Sequence, residues 1–350
     1  MTSFHPVDLD KIDWLRVLPN LGVHETYLQR PAVSKQCPLH PEQGKTKFRF
    51  LRPVERGRWA CNDCGFGGPI DLLTKLHGWS VKEAFDALRE HRVIDSPLRP
   101  AVRLDSPESA ATRAAKIRKD FDKMRKWWRA STHLNAAETA ASRYLRRRIP
   151  RVNLERLGDD LRAHPGLSYW EETCNGKFTE RGQFPALIGL FRDVAGEVKM
   201  MHRIYLTPTG QKAAVESPKK MFTPQWVTGC AIRIGDNPDA PVIGVAEGIE
   251  KSAAIYTACG LKMPVYCAGT AHGVATLEVP PHVQRVHIFA DNNLPTAQHP
   301  NGCGQEAASA LAARLRATGV DVIIHVAKTP DGDHEDDWNA LVAAPLRAVA

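Results

Sequence analysis

The sequence lacks long apolar runs and several features of secreted or motor proteins. None of its apolar runs approaches the roughly 20 residues of a membrane-spanning helix. The first residues, MTSFHPVDLDKIDWL, carry acidic groups where a signal peptide would be apolar. The ATP-binding motif G-x-x-x-x-G-K-[ST] is also absent. We therefore expect a cytoplasmic protein that makes no membrane contact and carries no P-loop ATPase.

Cysteines in a recognisable pattern are few. The chain has 8 cysteines, but only Cys37, Cys61 and Cys64 stand in short metal-ligand pairs. The others are scattered, several of them in apolar runs. This distribution favours a metal site in a reducing compartment over a disulfide framework.

Charge is unevenly distributed along a chain of net charge +8. Residues 111–160 hold 14 Lys or Arg against 6 Asp or Glu, whereas residues 242–350 hold 7 against 11. The basic segment suggests a polyanionic partner and the acidic one a divalent metal. An ordinary solvated helix face would also explain the basic segment.

Two short pairs, Cys37-x-x-His40 and Cys61-x-x-Cys64, have the spacing of a zinc site. Zinc prefers four such ligands in a tetrahedron, often supplied by two short loops. All four positions are occupied by protein groups, so we expect one closed, structural zinc ion.

The residues between the two pairs read as a β-hairpin. Phe48 and Phe50 alternate with Arg49, the segment 55–57 forms the turn, and Trp59 lies on the returning strand. Aromatic rings beside cations suit stacking on single-stranded bases, with Arg49 and Trp59 as candidate contacts. Alternatively, the rings form the small core of the hairpin.

This segment resembles a known family. CPLH, the hairpin and CNDCGFGGPIDLLTKLHGWSVKEAFDAL are similar, over about residues 34–92, to the CHC2-type zinc ribbon of bacterial and phage primases. The resemblance implies a β-ribbon with flanking helices in residues 1–92, and a catalytic domain further along the chain.

The middle of the chain divides into three parts. Residues 93–112 contain three prolines and predict a linker. Residues 113–158 predict basic helices. Residues 159–238 predict an α+β segment with a hairpin over 184–206.

The order RGQFPALIGLFRDVAGEVKMMHRIYL, then SPKKMF, is similar to the N-terminal half of a primase catalytic core. That resemblance implies template or nucleotide contacts for five basic residues: Arg181, His202, Arg203, Lys219 and Lys220. The alternative is that they are surface cations on a β-sheet.

Residues 239–350 alternate short apolar runs with helical patterns, which predicts an α/β domain with a parallel sheet. Acids follow three of the strand candidates: Glu247, Asp291 and the pair Asp336/Asp337. The carboxyl ends of parallel strands share one edge of a sheet, so these oxygens could hold Mg²⁺ or Mn²⁺. An acid after a strand can instead cap the next helix.

The segments V-A-E-G-I-E (245–250), F-A-D-N-N (289–293) and D-D-W-N (336–339) resemble a Toprim domain. The resemblance implies catalytic and metal-binding roles for Glu247, Asp291, Asn293 and Asp337. Asn293 replaces the second acid of the family's Asp-x-Asp motif, and Ala340 stands where relatives often have an acid. Both departures point to weaker metal binding.

Together the segments resemble a stand-alone bacterial-type DNA primase of a phage, plasmid or integrated element. The resemblance implies RNA primer synthesis from NTPs on single-stranded DNA, with Zn²⁺, with Mg²⁺ or Mn²⁺, and with a helicase or replication protein acting in trans. The alternative is a catalytically weakened accessory protein that binds single-stranded DNA. Other Toprim enzymes, such as topoisomerases and nucleases, fit the ribbon and the domain order less well.

Overall fold

The computed structural model describes residues 9, 12–29, 35–39, 46–51, 54–61, 64–90, 107–172, 178–225, 227–295 and 299–328. The chain divides into two compact units, residues 1–109 with 170–180 and residues 110–169 with 181–350. No helix in the described ranges is long and apolar enough to cross a bilayer.

The first unit is a small antiparallel ribbon with helices on either side in sequence. Its described elements are α1 (Trp14–Asn20), α2 (Thr26–Gln29), β1 (Lys35–Gln36), β2 (Thr46–Phe50), β3 (Trp59–Cys61), β4 (Gly65–Gly67), α3 (Pro69–His77) and α4 (Val81–Glu90). The strands pair in the order β1-β2-β3-β4. The predicted hairpin is confirmed, because β2 and β3 are antiparallel with Phe50 opposite Trp59. Gly57 permits the turn with a φ of +61°.

The aromatic residues of the hairpin form its core. Phe48, Phe50 and Trp59 are each at most 1% exposed, and the Phe48 ring stacks on Trp59 at a centroid distance of 5.6 Å. The structure therefore corrects the prediction that Trp59 contacts DNA, because a ring without exposed surface cannot stack on a base unless the core opens. Arg49, between the two phenylalanines, is half-buried.

An antiparallel sheet and two helices follow. These elements are α5 (Pro107–Arg129), β5 (Thr132–His133), α6 (Ala140–Arg148), β6 (Leu161–Glu172), β7 (Phe178–Arg192), β8 (Val198–Tyr205) and β9 (Lys219–Phe222). The sheet order is β5-β6-β7-β8-β9, and the predicted hairpin over 184–206 is confirmed as β7 and β8. Helix α5 begins at Pro107, inside the predicted linker. Its apolar face places Met124, Trp127 and Trp128 against the sheet core.

The C-terminal part contains the predicted parallel sheet. Its described elements are β10 (Ile232–Ile234), β11 (Val242–Ala246), α7 (Ile249–Ala258), β12 (Val265–Cys267), α8 (Ala271–Thr276), β13 (Arg285–Ala290), α9 (Cys303–Arg316) and β14 (Asp321–Val326). The strand order is β10-β12-β11-β13-β14, with the last four parallel. The antiparallel edge strand β10 was not predicted and precedes the predicted start of this domain at residue 239.

One hydrophobic core joins the antiparallel and the parallel sheets. Leu187 and Phe191 of β7 belong to the same cluster as Ala246, Ile249 and Phe289. This shared core holds the N-terminus of α7 and the carboxyl ends of β11 and β13 against the antiparallel sheet. Side chains from both sheets therefore meet near that edge.

Candidate functional site

Two acids lie at the carboxyl edge of the parallel sheet. Strands β11 and β13 are neighbours, with Ala246 opposite Phe289. Glu247 directly follows β11, and Asp291 directly follows β13. The Glu247 backbone oxygen accepts a hydrogen bond of 2.8 Å from Gly269 N–H, which fixes the β11 end to the segment after β12. The sheet thus places both carboxylates at one edge, as the sequence predicts.

A lysine that sequence reasoning missed lies between these acids. Lys251, in the first turn of α7, is 5% exposed, and its Nζ is ion-paired with Asp291 Oδ1. Burial lowers the pKa of Lys251 to about 8, and the negative charge of Glu247 opposes part of that decrease. In the sequence, the only indication of this role was that Lys251 follows Glu247 by four residues, in the first turn of the next helix. The edge therefore holds an ammonium group as well as carboxylates.

Asn293 is engaged in capping a helix. Its Oδ1 accepts a hydrogen bond of 2.9 Å from Gly304 N–H in the first turn of α9. This is the capping role weighed as an alternative for residues that follow strands. Its proposed role as a metal ligand stays a prediction, as does that of Asp337, which lies outside the described residues.

An ion pair with a buried carboxylate links the antiparallel sheet to helix α7 beside the acidic edge. Lys219 Nζ of β9 lies 2.8 Å from Glu250 Oε1 of α7, which also accepts a hydrogen bond from the Tyr144 hydroxyl of α6. Burial alone would raise the pKa of Glu250, but Lys219 and Tyr144 bring it down to about 2. Lys219, predicted to contact DNA or nucleotide, is thus ion-paired, although its side chain remains 38% exposed.

His202 faces the same cluster from β8. Burial, followed by the positive charge of Lys219, lowers the pKa of His202 to about 4. Its Nδ1 is buried and has no hydrogen-bond partner among the residues that the structure describes. Protonation would therefore place a second cation beside Lys219 in poorly solvated surroundings.

The free energy of unfolding is expected to fall as the pH decreases from 6.5 to about 4, because unfolded His202 binds a proton that the folded protein excludes. Above pH 6.5 this contribution is fully present. The loss attributable to His202 is at most about 3 kcal/mol. Denaturant unfolding of wild type and His202→Gln across this pH range measures it as the difference between the two proteins. An unchanged pH dependence in His202→Gln, matching His272→Gln at an exposed position, would contradict the assignment.

The other three basic residues that were predicted to contact DNA or nucleotide differ in how exposed they are and in what they contact. The Arg203 guanidinium lies 5.2 Å from the Trp127 ring centroid and 5.4 Å from that of Phe222. Lys220 Nζ lies 4.0 Å from the Tyr169 ring centroid. Arg181 is exposed on β7. Arg203 therefore packs in an aromatic cluster, and Arg181 is the more accessible cation for a polyanion.

The ribbon brings three of the four predicted zinc ligands together. The Sγ atoms of Cys37, Cys61 and Cys64 all lie within 4.8 Å of one another, and the three residues are buried. His40, the fourth predicted ligand, lies outside the described residues. Three converging thiols, one after β1 and two at the end of β3 and just beyond it, fit a tetrahedral zinc ion that takes one further ligand.

Two segments of the chain match known families. Residues 242–347 match the model of a Toprim domain, which confirms the Toprim prediction. Residues 118–234 match a domain of unknown function, DUF7146. The chain is thus multidomain, with an N-terminal cysteine cluster, mixed α/β structure and a C-terminal Toprim domain built on a parallel sheet.

Several solved primase structures are similar to this chain at low identity. A DNA primase domain from Pseudomonas aeruginosa is 18% identical with a TM-score of 0.32, covering 50% of this chain and 51% of that one. The Aquifex aeolicus primase, comprising zinc-binding and RNA polymerase domains, is 15% identical with a TM-score of 0.37, covering 97% and 85%. A DnaG primase catalytic domain bound to single-stranded DNA is 15% identical with a TM-score of 0.41, covering 67% and 78%. The chain matches about half the length of the first.

Proposed function

We propose that this protein is a DNA primase, which joins NTPs into short RNA primers on single-stranded DNA by metal-dependent nucleotidyl transfer. The observation that carries the proposal is the position of Glu247 and Asp291. Both directly follow neighbouring parallel strands, in a segment that matches a Toprim domain. Carboxylates at that edge are the ligands that Mg²⁺ and Mn²⁺ prefer.

In this proposal the carboxylates at this edge bind the metal ion, and the lysine adds a positive charge. Glu247 and Asp291 would hold the divalent cation, with Asp337 as a further predicted ligand. When bound, the cation supplies positive charge that binds the NTP phosphates and offsets the charge developing during phosphoryl transfer. Lys251 adds a fixed ammonium beside Asp291, and the shared core of the two sheets keeps these groups in place.

The DNA template would bind through exposed cations. Among the α5 side chains that the structure describes, seven basic ones are exposed: Lys116, Arg118, Lys119, Lys123, Arg125, Lys126 and Arg129. Such a surface attracts a phosphate backbone without regard to base sequence, and its binding weakens as salt rises. We place Arg181 in the same role on β7. By its resemblance to primases, the protein would act together with a separate replicative helicase or replication protein.

The ribbon would be held together by zinc. Cys37, Cys61 and Cys64, with His40, would bind one structural zinc ion. With its aromatic rings in the core, the ribbon would contact the template through polar and cationic groups such as Arg49, rather than by stacking Trp59 on bases.

A second candidate is an accessory protein that binds single-stranded DNA but does not polymerise. The observation that favours it is Asn293, whose neutral amide caps α9 where the Toprim resemblance expects an acid. With less negative charge, this edge would bind a divalent cation more weakly. The cationic face of α5 would remain able to bind DNA.

One pair of assays separates the two candidates. Fluorescence anisotropy reports binding of a labelled single-stranded oligonucleotide, and a gel assay reports extension products from labelled NTPs with Mg²⁺ or Mn²⁺. A primase gives template-dependent products and binds DNA. Binding without products, on templates of varied sequence and with both metals, would overturn the primase proposal in favour of the accessory protein.

A further inference from the structure

The carboxyl edge of the parallel sheet carries an unusual balance of charge for a site that holds divalent cations. Among the residues that the structure describes there, Glu247 and Asp291 supply two negative charges and Lys251 one positive charge, while the charges of Glu250 and Lys219 cancel in their ion pair. Asn293 supplies none, and its amide oxygen is bonded to Gly304 N–H. These groups sum to a charge of −1, so one divalent cation brings the edge to +1, whereas two would bring it to +3.

The structure holds the ammonium of Lys251 in a fixed place. The residue lies three positions after Gly248, the N-cap of α7, and its side chain is 6% exposed. Nζ is ion-paired with Asp291, the same carboxylate that the Toprim resemblance assigns to the metal. The side chain therefore cannot swing freely into solvent, since it would leave Asp291 and cross packed surroundings.

The N-terminus of α7 adds positive potential at the same place. This helix has 10 residues and is separated from the end of β11 only by Glu247 and Gly248, so the positive end of its dipole lies at this edge. The combined field of helix and ammonium favours a phosphate group or a carboxylate over a second metal ion.

Many phosphoryl-transfer sites hold two divalent cations. We propose that Lys251 supplies positive charge in place of the second cation, so that this edge works with a single metal ion and a built-in ammonium group. This inference rests on the proposed metal site at Glu247 and Asp291. In that role the ammonium, a compact point charge with three donors, binds a phosphate oxygen of the NTP while the single metal ion is held by the two carboxylates.

A purely structural salt bridge predicts the opposite response to mutation. If Lys251 only positions Asp291, its removal disorganises the carboxylate and weakens metal binding. If Lys251 occupies a cation position, its removal lifts a repulsion and strengthens metal binding. The sign of the change in affinity therefore distinguishes the two roles.

The test measures Mn²⁺ binding to the zinc-loaded full chain, without nucleotide, by electron paramagnetic resonance of free Mn²⁺. The wild type is expected to bind one Mn²⁺ that Glu247→Gln loses. Lys251→Met should bind Mn²⁺ about tenfold more tightly or take up a second ion. Lys251→Arg, which keeps the charge, and Lys262→Met, which removes an exposed charge of the same domain, should resemble the wild type.

Three results would overturn the inference. The first is that the wild type binds two Mn²⁺ ions and Glu247→Gln loses both. The second is that Lys251→Met binds Mn²⁺ no more tightly than Lys262→Met does. The third is that the wild type binds no Mn²⁺. Primer synthesis is measured separately on the same samples. Tighter Mn²⁺ binding in Lys251→Met without synthesis by the wild type would refute the primase proposal and leave this inference standing.

Discussion

Asp291→Asn is expected to reduce the initial rate of primer synthesis about 10²- to 10³-fold. Asp291 directly follows β13 and is 16% exposed in its side chain, next to the end of β11 where Glu247 lies. The replacement keeps the shape of the side chain but removes a negative charge from the predicted metal ligands. It also leaves the ammonium of Lys251 without its carboxylate partner, which further disfavours a divalent cation.

A matched control exists on the neighbouring strand. Asp321 opens β14 at the opposite edge of the same sheet and forms an exposed ion pair with Arg285. Asp321→Asn makes the same chemical change far from the carboxyl edge, so its rate should stay within about twofold of wild type. Both variants are compared at saturating NTP and equal Mg²⁺, with thermal unfolding recorded in parallel. Equal rates of primer synthesis in Asp291→Asn and Asp321→Asn would show that the carboxylate of Asp291 takes no part in the reaction.

Loss of zinc is expected to unfold the ribbon. Metal binding in small zinc modules supplies about 10–16 kcal/mol, which is folding free energy because the site does not exist in the unfolded chain. The ribbon core is small, and its buried cysteines Cys37, Cys61 and Cys64 are part of it. Cys61→Ser should therefore lose bound zinc and expose Trp59, which is measured by zinc analysis of the purified protein and by tryptophan fluorescence.

Two further variants define the zinc site. Cys259→Ala changes a half-buried cysteine of the parallel-sheet domain and should retain one zinc ion per chain. His40→Asn tests the predicted fourth ligand and should weaken zinc retention against a chelator, because an amide is a poorer zinc ligand than imidazole. Full zinc content in Cys61→Ser would show that the three thiols are a packed cluster rather than a metal site.

Short-range patterns in the sequence were sufficient to predict the parallel strands and the acids that follow β11 and β13, but not the antiparallel strand β10. The runs that form β11 and β13 are apolar without alternation, which is typical of buried parallel strands. Gly260 and Gly319 follow helices α7 and α9 with φ values of +65° and +86°, a conformation in which glycine commonly ends a helix. Once the strands are known, Glu247 and Asp291 must lie at one edge. The cysteine pairs are equally local, since their spacing alone suggests zinc.

Contacts between distant segments could not be predicted in the same way. Lys219 and Glu250 are 31 positions apart and meet only because β9 packs beside α7, so Lys219 looked like a free cation. Lys251 pairs with Asp291, 40 positions away. The buried state of Trp59 depends on how the ribbon packs on its helices, and an alternating strand pattern does not show which face is covered. The sequence pattern indicates residue types at a site but does not show their partners.

Formation of the first phosphodiester bond tests the central claim most directly. The measurement is the rate of dinucleotide formation from two NTPs on a single-stranded template, with Mn²⁺ and then Mg²⁺, for wild type and Glu247→Gln. We expect the wild type to form template-dependent dinucleotide and Glu247→Gln to lose it while its DNA affinity is retained. Equal dinucleotide formation by both proteins, or none by a wild type that binds DNA and Mn²⁺, would contradict nucleotidyl transfer at this edge of the Toprim domain.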